Sequence, residues 1–166
     1  MDLPVVDGHL ESSLGQDTLK TLVFGRHHET GTNDCDFTKG FGIKCGAMAS
    51  TVAHDAHNLL VVGTNDEGMA LAANTLVACG GMAVVADGEV LGLVELPIAG
   101  LMDAPAADKM SAKVHSLEDA WTEIGRTAPS PFMTMALIPL ACLPELRLMN
   151  RGLVDCTTFE FTNLVV

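Results

Sequence analysis

The segment 82–96 constrains the fold most, because it contains the strongest hairpin signal in the chain. Two runs rich in valine and leucine, 82–86 and 89–96, flank the dipeptide Asp87-Gly88. Asp-Gly suits the tight two-residue turn that joins antiparallel strands, since both positions of that turn need a positive φ. Pro97 and Gly100 then end the second run. The segment therefore predicts a β-hairpin.

One helix is predicted before this hairpin and one after it. The first begins at Thr64, which forms the spacing of a capping box with Glu67, and it ends at Gly80-Gly81. The second begins near Pro105 and ends at Gly125. Its apolar residues recur at spacings of four, three, four and three, which predicts one core-facing stripe: Met110, Val114, Leu117, Trp121 and Ile124.

Short strands are predicted at 19–24, 49–53 and 59–62, and a last one near 157–161. The glycine-rich stretch 39–49 indicates close backbone approach or a bulge rather than a helix. From Pro129 onward, prolines interrupt a series of short apolar runs. We therefore predict an α+β layered fold, in which a mixed sheet is covered on one face by the two helices.

The composition predicts one globular domain with a substantial core. Apolar residues make up 48% of the 166 positions and charged residues only 18%, which excludes wholesale disorder. Two interpretations of this low share of charged residues are equally favoured. Either a large apolar face is covered by another domain or subunit, or the chain is a tightly folded acidic domain.

The net charge of −12 disfavours nucleic acids and anionic membranes as partners, since both would repel the chain. No run reaches the ~18 apolar residues of a membrane span, and the N-terminal stretch lacks the pattern of a signal peptide. The five cysteines are scattered, with no Cys-x-x-Cys pair. We therefore expect reduced thiols in a cytoplasmic protein rather than disulfides or structural zinc.

Four polar side chains fall within five positions at His54, Asp55, His57 and Asn58. Imidazoles bind metals or transfer protons near neutral pH, and a nearby carboxylate orients them. However, a three-residue spacing puts two histidines on opposite faces of a regular strand, and two are too few ligands for a metal site. Three interpretations remain: a hydrogen-bonded turn that pins two strands, a substrate or interdomain contact, and a local metal site.

A second polar group, Asn65, Asp66 and Glu67, lies at the start of the first predicted helix. Helix N-termini bind anions through their free amides, but the two carboxylates already complement the helix dipole and would repel an anion. Capping is the favoured interpretation, with substrate or interdomain contact as the alternative.

The run Arg26-His27-His28 forms a cationic cluster beside Glu29. It is interpreted as a solvated loop. The sequence contains no Gly-x-Ser-x-Gly motif, and no cysteine lies near a histidine in a catalytic pattern. Nucleophilic catalysis therefore has no support.

Several motifs in order make the chain resemble the C-terminal domain of adenine deaminase, a member of the amidohydrolase superfamily. The resemblance runs from about residue 23 to 161. The motifs are FTKGFGIK (37–44), GAMASTVAHDAHN (46–58), VVGTNDE (61–67), ELPIAGLM (95–102), PFMT (131–134) and RGLVD (151–155). We therefore expect residues 23–166 to form such a domain.

The resemblance implies hydrolysis of adenine to hypoxanthine and ammonia, in purine salvage, by a hydroxide that manganese or iron activates. In the family, the metal ligands sit in an N-terminal (β/α) barrel, and such barrels need ~200 residues or more. No cofactor is therefore expected for this chain alone. Its expected partners are adenine, as the family substrate, and either a metal-binding barrel domain or further copies of itself.

The segment 1–22 has a resemblance of its own. Val6-Asp7-Gly8-His9 is similar to the family's first metal motif, but Glu11 stands where that motif has its second histidine. The segment is interpreted as a relic of the barrel, with coincidence as the alternative. His9, His54 and His57 are accordingly the candidate metal ligands.

Three hypotheses follow. The chain is a non-catalytic piece of an adenine deaminase, a free-standing module for interaction or oligomerisation, or a purine- or metal-binding domain that uses the cluster at His54.

Overall fold

The computed structural model of the chain describes residues 3–27 and 31–164. The helices of this part are α1 (Asp66–Leu76), α2 (Ala107–Glu123) and α3 (Pro131–Leu137). The strands are β1 (Val5–Val6), β2 (His9–Leu10), β3 (Thr18–Phe24), β4 (Asn33–Lys39), β5 (Ala47–Ser50), β6 (Leu59–Gly63), β7 (Gly81–Ala86), β8 (Glu89–Glu95), β9 (Leu146–Met149), β10 (Gly152–Asp155) and β11 (Glu160–Thr162). None of these helices is long and apolar enough to cross a membrane.

A six-stranded antiparallel sheet, in the order β4-β3-β6-β5-β7-β8, forms the centre of the molecule. Its middle strands β6, β5 and β7 are almost continuously apolar and buried. Continuous apolar runs are typical of strands that are covered on both faces. Small residues such as Ala47 and Ala49 let a helix approach one of these faces closely.

The predicted α+β layered class is confirmed, but the arrangement of the helices differs from the prediction. Helix α1 packs on one face of the sheet, against β5, β6 and β7, while α2 and α3 lie on the other. The two apolar faces of the middle strands explain this, because helices on a single face would leave the other one in water. The sheet is also antiparallel throughout the described residues rather than mixed.

The hairpin and the apolar stripe are confirmed. Asp87 and Gly88 join β7 to β8 with φ values of 52° and 79°, as a two-residue turn requires. Within the stripe, Leu117, Trp121 and Ile124 are fully buried. The edge of the Trp121 ring contacts Phe132 of the third helix at 4.0 Å between centroids.

The capping prediction is wrong by one residue. The N-cap of α1 is Asn65, whose Oδ1 accepts a hydrogen bond from the backbone N–H of Gly68 (2.8 Å). The Thr64 hydroxyl instead donates to the carbonyl of Gly46 (3.1 Å), the residue just before β5.

Several elements were not predicted, among them β4 and α3. β4 has the polar sequence NDCDFTK, because it is an edge strand with one side open to water. α3 begins directly at Pro131, where proline is tolerated because the first helical N–H needs no partner.

A smaller antiparallel sheet, β11-β10-β9, contains the strand predicted near the end of the chain. Its last strand is Glu160–Thr162 rather than 157–161.

The packing of α2 on the sheet predicts that Leu117→Ala destabilises the chain by about 2–5 kcal/mol, because the side chain is fully buried and leaves a cavity. Urea unfolding followed through the fluorescence of the single tryptophan, Trp121, measures the loss. Val77→Ala is the matched control, since Val77 is 76% exposed, and should change stability by less than about 0.5 kcal/mol. A loss below about 1 kcal/mol for Leu117→Ala would contradict this packing.

Candidate functional site

Residues 54–58, here named the polar turn, connect β5 to β6 at one end of the central sheet. The imidazoles of His54 and His57 meet edge to face, with 5.2 Å between ring centroids. In a regular strand they would point to opposite faces. His57 has a φ of 51°, and this reversal of the backbone brings the two rings together.

Backbone hydrogen bonds fix the polar turn from two sides. The N–H of His57 donates to the carbonyl of Ala53 (2.7 Å), and the N–H of His54 donates to the carbonyl of Ala136 in α3 (2.8 Å). Asn58 is buried, and its Oδ1 accepts from the backbone N–H of Arg26 (3.4 Å). Asp55, by contrast, is exposed. The interpretation of a hydrogen-bonded turn therefore describes the local geometry.

Arg26 is the main side-chain anchor of the polar turn. Its Nε donates to the carbonyl of His57 (2.6 Å) and its Nη2 to the carbonyl of Ala99 (2.5 Å). His27 adds a hydrogen bond from Nε2 to the carbonyl of Ala56 (2.8 Å). The prediction of a solvated loop is therefore wrong for Arg26, which is half-buried. His28 and Glu29 lie outside the described residues.

The loop 97–102 is held against Arg26 by close backbone packing. A Cβ on Gly100 would lie 2.9 Å from the guanidinium nitrogens, and its φ of 73° also favours glycine. The buried Thr51 hydroxyl donates to the carbonyl of Gly100 (2.6 Å) and accepts from the N–H of Gly81 (2.7 Å). One arginine and one threonine thus fix this loop beside the polar turn.

The polar turn and its anchor carry charges of both signs, the exposed carboxylate of Asp55 and the half-buried guanidinium of Arg26. Arg26 forms no ion pair with any carboxylate in the described part of the chain. Burial lowers the pKa of the Arg26 guanidinium, but the group stays charged at neutral pH. Within residues 3–27 and 31–164, its side-chain donors reach the backbone carbonyls of His57 and Ala99.

The surroundings of the His57 imidazole lower its pKa. Burial, and then the neighbouring His54, lower its pKa below 6.5, while Asp55 opposes the shift. Arg26 and His27 lower the pKa further. The Nδ1 atom is buried and has no hydrogen-bond partner in the described residues. The neutral form of His57 is therefore favoured at neutral pH.

The polar turn does not fit a metal ion. Its two imidazoles lack the further ligands that a metal centre requires. Within residues 3–27 and 31–164, no group of three or more His, Cys, Asp or Glu side chains could hold a metal.

The predicted ligand His9 lies elsewhere, in the hairpin that β1 and β2 form around Asp7-Gly8. It lines a cleft together with Asp66. The stretch that resembles a metal motif is thus a β-turn in this fold, with φ values of 49° and 83° at Asp7 and Gly8.

The second predicted group lies apart from the polar turn. Asn65, Asp66 and Glu67 follow the far end of β6, and five strand residues separate the two groups. At about 3.3 Å per residue, they lie roughly 17 Å apart along the strand. The structure therefore brings together His54, His57 and Asn58, but not the residues at the start of α1.

Comparison with known proteins identifies the family. The family model of the adenine deaminase C-terminal domain matches residues 1–160. The chain belongs to this family. It is 65% identical over 167 residues to the adenine deaminase of Clostridium botulinum (strain ATCC 19397 / Type A), with all of this chain and 28% of that protein covered.

More distant relatives agree with this assignment. The adenine deaminase of Moorella thermoacetica is 52% identical over 164 residues, covering 98% of this chain and 28% of the relative. That of Sinorhizobium fredii is 45% identical over 158 residues, with 95% and 28% covered. The chain thus spans about 28% of the length of these curated relatives. The family match begins at residue 1, and the predicted boundary at residue 22 stays a prediction.

In this member of the adenine deaminase C-terminal domain family, we predict that His57 makes stability fall as the pH drops. The unfolded chain binds the His57 proton near pH 6.5, whereas the folded chain binds it only at lower pH. The contribution of His57 to the free energy of unfolding is therefore complete above pH 6.5. As the pH falls from 6.5 to the folded pKa, this contribution decreases by at most about 1.4 kcal/mol per pH unit.

His57→Asn tests this, because asparagine does not titrate and tolerates a positive φ. Urea unfolding at pH 7.5 and pH 5.5 should show a smaller loss of stability in the variant than in the parent. His115→Asn, at an exposed position of α2, is the control and should keep the parent's pH dependence. Equal losses for the parent and His57→Asn would refute the prediction.

Proposed function

We propose that this chain is the C-terminal domain of an adenine deaminase that hydrolyses adenine to hypoxanthine and ammonia, in cytoplasmic purine salvage. The family match and the names of the relatives support this proposal. One observation carries the division of labour: the chain spans about 28% of the length of these relatives. In this proposal the chemical step belongs to the metal-binding barrel domain that the family resemblance implies.

That barrel domain would hold manganese or iron. Such an ion lowers the pKa of a bound water and so supplies hydroxide at neutral pH. The polar turn contributes no ligand to it in this proposal.

The polar turn is proposed to face the barrel domain. Arg26 supports this: it has no ion-pair partner within residues 3–27 and 31–164, and a half-buried cation is stabilised when a partner places a carboxylate against it. Ile98 and Met102, in the loop that Arg26 holds, are 48% and 58% exposed. A polar centre beside exposed apolar side chains suits a surface that another domain covers.

A chimera tests the proposed function. The 167 matched residues of the Clostridium botulinum relative are replaced by this chain. We expect the chimera to deaminate adenine with a kcat/KM within about tenfold of the intact relative, a difference of about 1.4 kcal/mol. The 166-residue chain alone, supplied with Mn²⁺ or Fe²⁺, should release no ammonia above background. A folded but inactive chimera, or turnover by the isolated chain, would contradict the proposal.

A charge variant tests the orientation of the polar turn. His27→Glu places a carboxylate beside Arg26 and so competes with a carboxylate of the barrel domain. In the chimera it should lower kcat/KM by about tenfold. His115→Glu on α2 adds the same charge at an exposed site outside the turn and should have no effect.

The two variants should unfold at similar temperatures as isolated chains, so that a difference in the chimera reports domain docking. If His27→Glu and His115→Glu have the same activity in the chimera, the polar turn does not face the barrel domain.

A further inference from the structure

On the face of the six-stranded sheet that carries α1, the half formed by β3 and β4 is not covered by a helix of the described residues. Neighbouring strands lie about 4.8 Å apart, so six strands span about 24 Å, whereas a helix is only about 10 Å wide. Helix α1 packs on β5, β6 and β7. On the same face, the residues described beside the neighbouring strands β3 and β4 belong to the hairpin β1–β2 and to the segment at Leu164.

The resulting gap is a cleft of about 600 Å³, here named the β3–β4 cleft. This volume lies in the range of small-molecule sites, which are mostly apolar with a few convergent polar groups. The apolar floor and wall consist of half-buried or buried side chains from the sheet and from α1: Leu22, Phe24, Phe37, Val61 and Met69.

The polar end of the cleft is formed by Lys20, whose side chain is only 10% exposed. Its Nζ lies 3.0 Å from Glu11 Oε2 and 2.7 Å from Asp66 Oδ1. Burial alone would lower the pKa of Lys20, but the hydrogen bonds and charges of Asp66 and Glu11 together raise it. The lysine therefore stays protonated, and the three groups carry a net charge of −1.

The two carboxylates keep acceptor capacity that Lys20 does not use. Each carboxylate offers about four lone-pair sites, and Lys20 contacts one oxygen of each, Glu11 Oε2 and Asp66 Oδ1. Asp66 is 72% exposed at its side chain and Glu11 32%. A ligand in the cleft can therefore donate hydrogen bonds to carboxylate oxygens that Lys20 does not engage.

We propose that the β3–β4 cleft binds a small aromatic molecule that carries a cationic amidine or amine group. The ring would lie on the apolar floor beside Phe24 and Phe37, where aromatic contacts favour a flat partner. The cationic group would donate to Glu11 and Asp66, since paired N–H donors match carboxylate geometry. An aromatic carboxylate has the same shape but is repelled by the net negative charge. Because this site lies apart from the polar turn, its test does not depend on deaminase activity.

Benzamidine is the probe, and backbone amide NMR of the 15N-labelled chain is the measurement. We expect saturable shifts at Leu22, Phe24, Phe37 and Ala73, with a Kd on the order of 1 mM, as is typical of so small a ligand. Benzoate, which lacks donors, and acetamidine, which lacks a ring, should produce no saturable shifts at these amides.

Two matched variants locate the site. Ala70→Trp fills the cleft from an exposed position of α1 and should abolish benzamidine binding, whereas Asn74→Trp, an exposed residue of the same helix outside the cleft, should leave it unchanged. Glu11→Gln should weaken binding at least about fivefold. The proposal is overturned if benzoate binds equally well, if Ala70→Trp leaves the affinity unchanged, or if no saturable shifts occur at the cleft.

Discussion

The structure depends on the burial of three short strands, β5, β6 and β7, on both of their faces. Their sequences are so apolar that neither face is stable in water, which requires a helix layer on each side. Ala47 and Ala49 face α1, while Met48, in the same strand, belongs to the core under α2. This alternation at single-residue spacing determines the three layers. The polar turn and the β3–β4 cleft both lie at the border of this buried centre.

The polar turn illustrates this dependence. It connects two buried strands, so its position is determined by the sheet, while its internal conformation is determined by Arg26 and by the backbone of α3. A turn fixed by hydrogen bonds to main-chain carbonyls keeps its shape without using the imidazole side chains. In the described residues, His57 Nδ1 has no hydrogen-bond partner and Arg26 has no ion-pair partner. Those properties suit a surface that meets another domain.

Much of the fold could be predicted from local sequence patterns. The surroundings of the candidate sites could not, because they depend on residues that are distant in sequence. Asp87-Gly88 and the stripe through Trp121 act over short distances, and both are confirmed. β4 lacked a signal because an edge strand needs no second apolar face. The role of Arg26 depends on Ala99, which is distant in sequence. Lys20 offered a signal that could have been used: a lysine inside the buried strand β3 must have carboxylate partners.

The polar turn and the β3–β4 cleft differ in how their basic side chains are paired. The chain has 21 acidic and 9 basic residues, and within the described part of it Lys20 and Lys113 form ion pairs. Lys20 is paired with two carboxylates, which leaves an excess of negative charge at the β3–β4 cleft. Arg26 has no ion pair in the described part of the chain. In the two proposals, the cleft therefore takes a cationic ligand, whereas Arg26 at the turn meets a carboxylate of another domain.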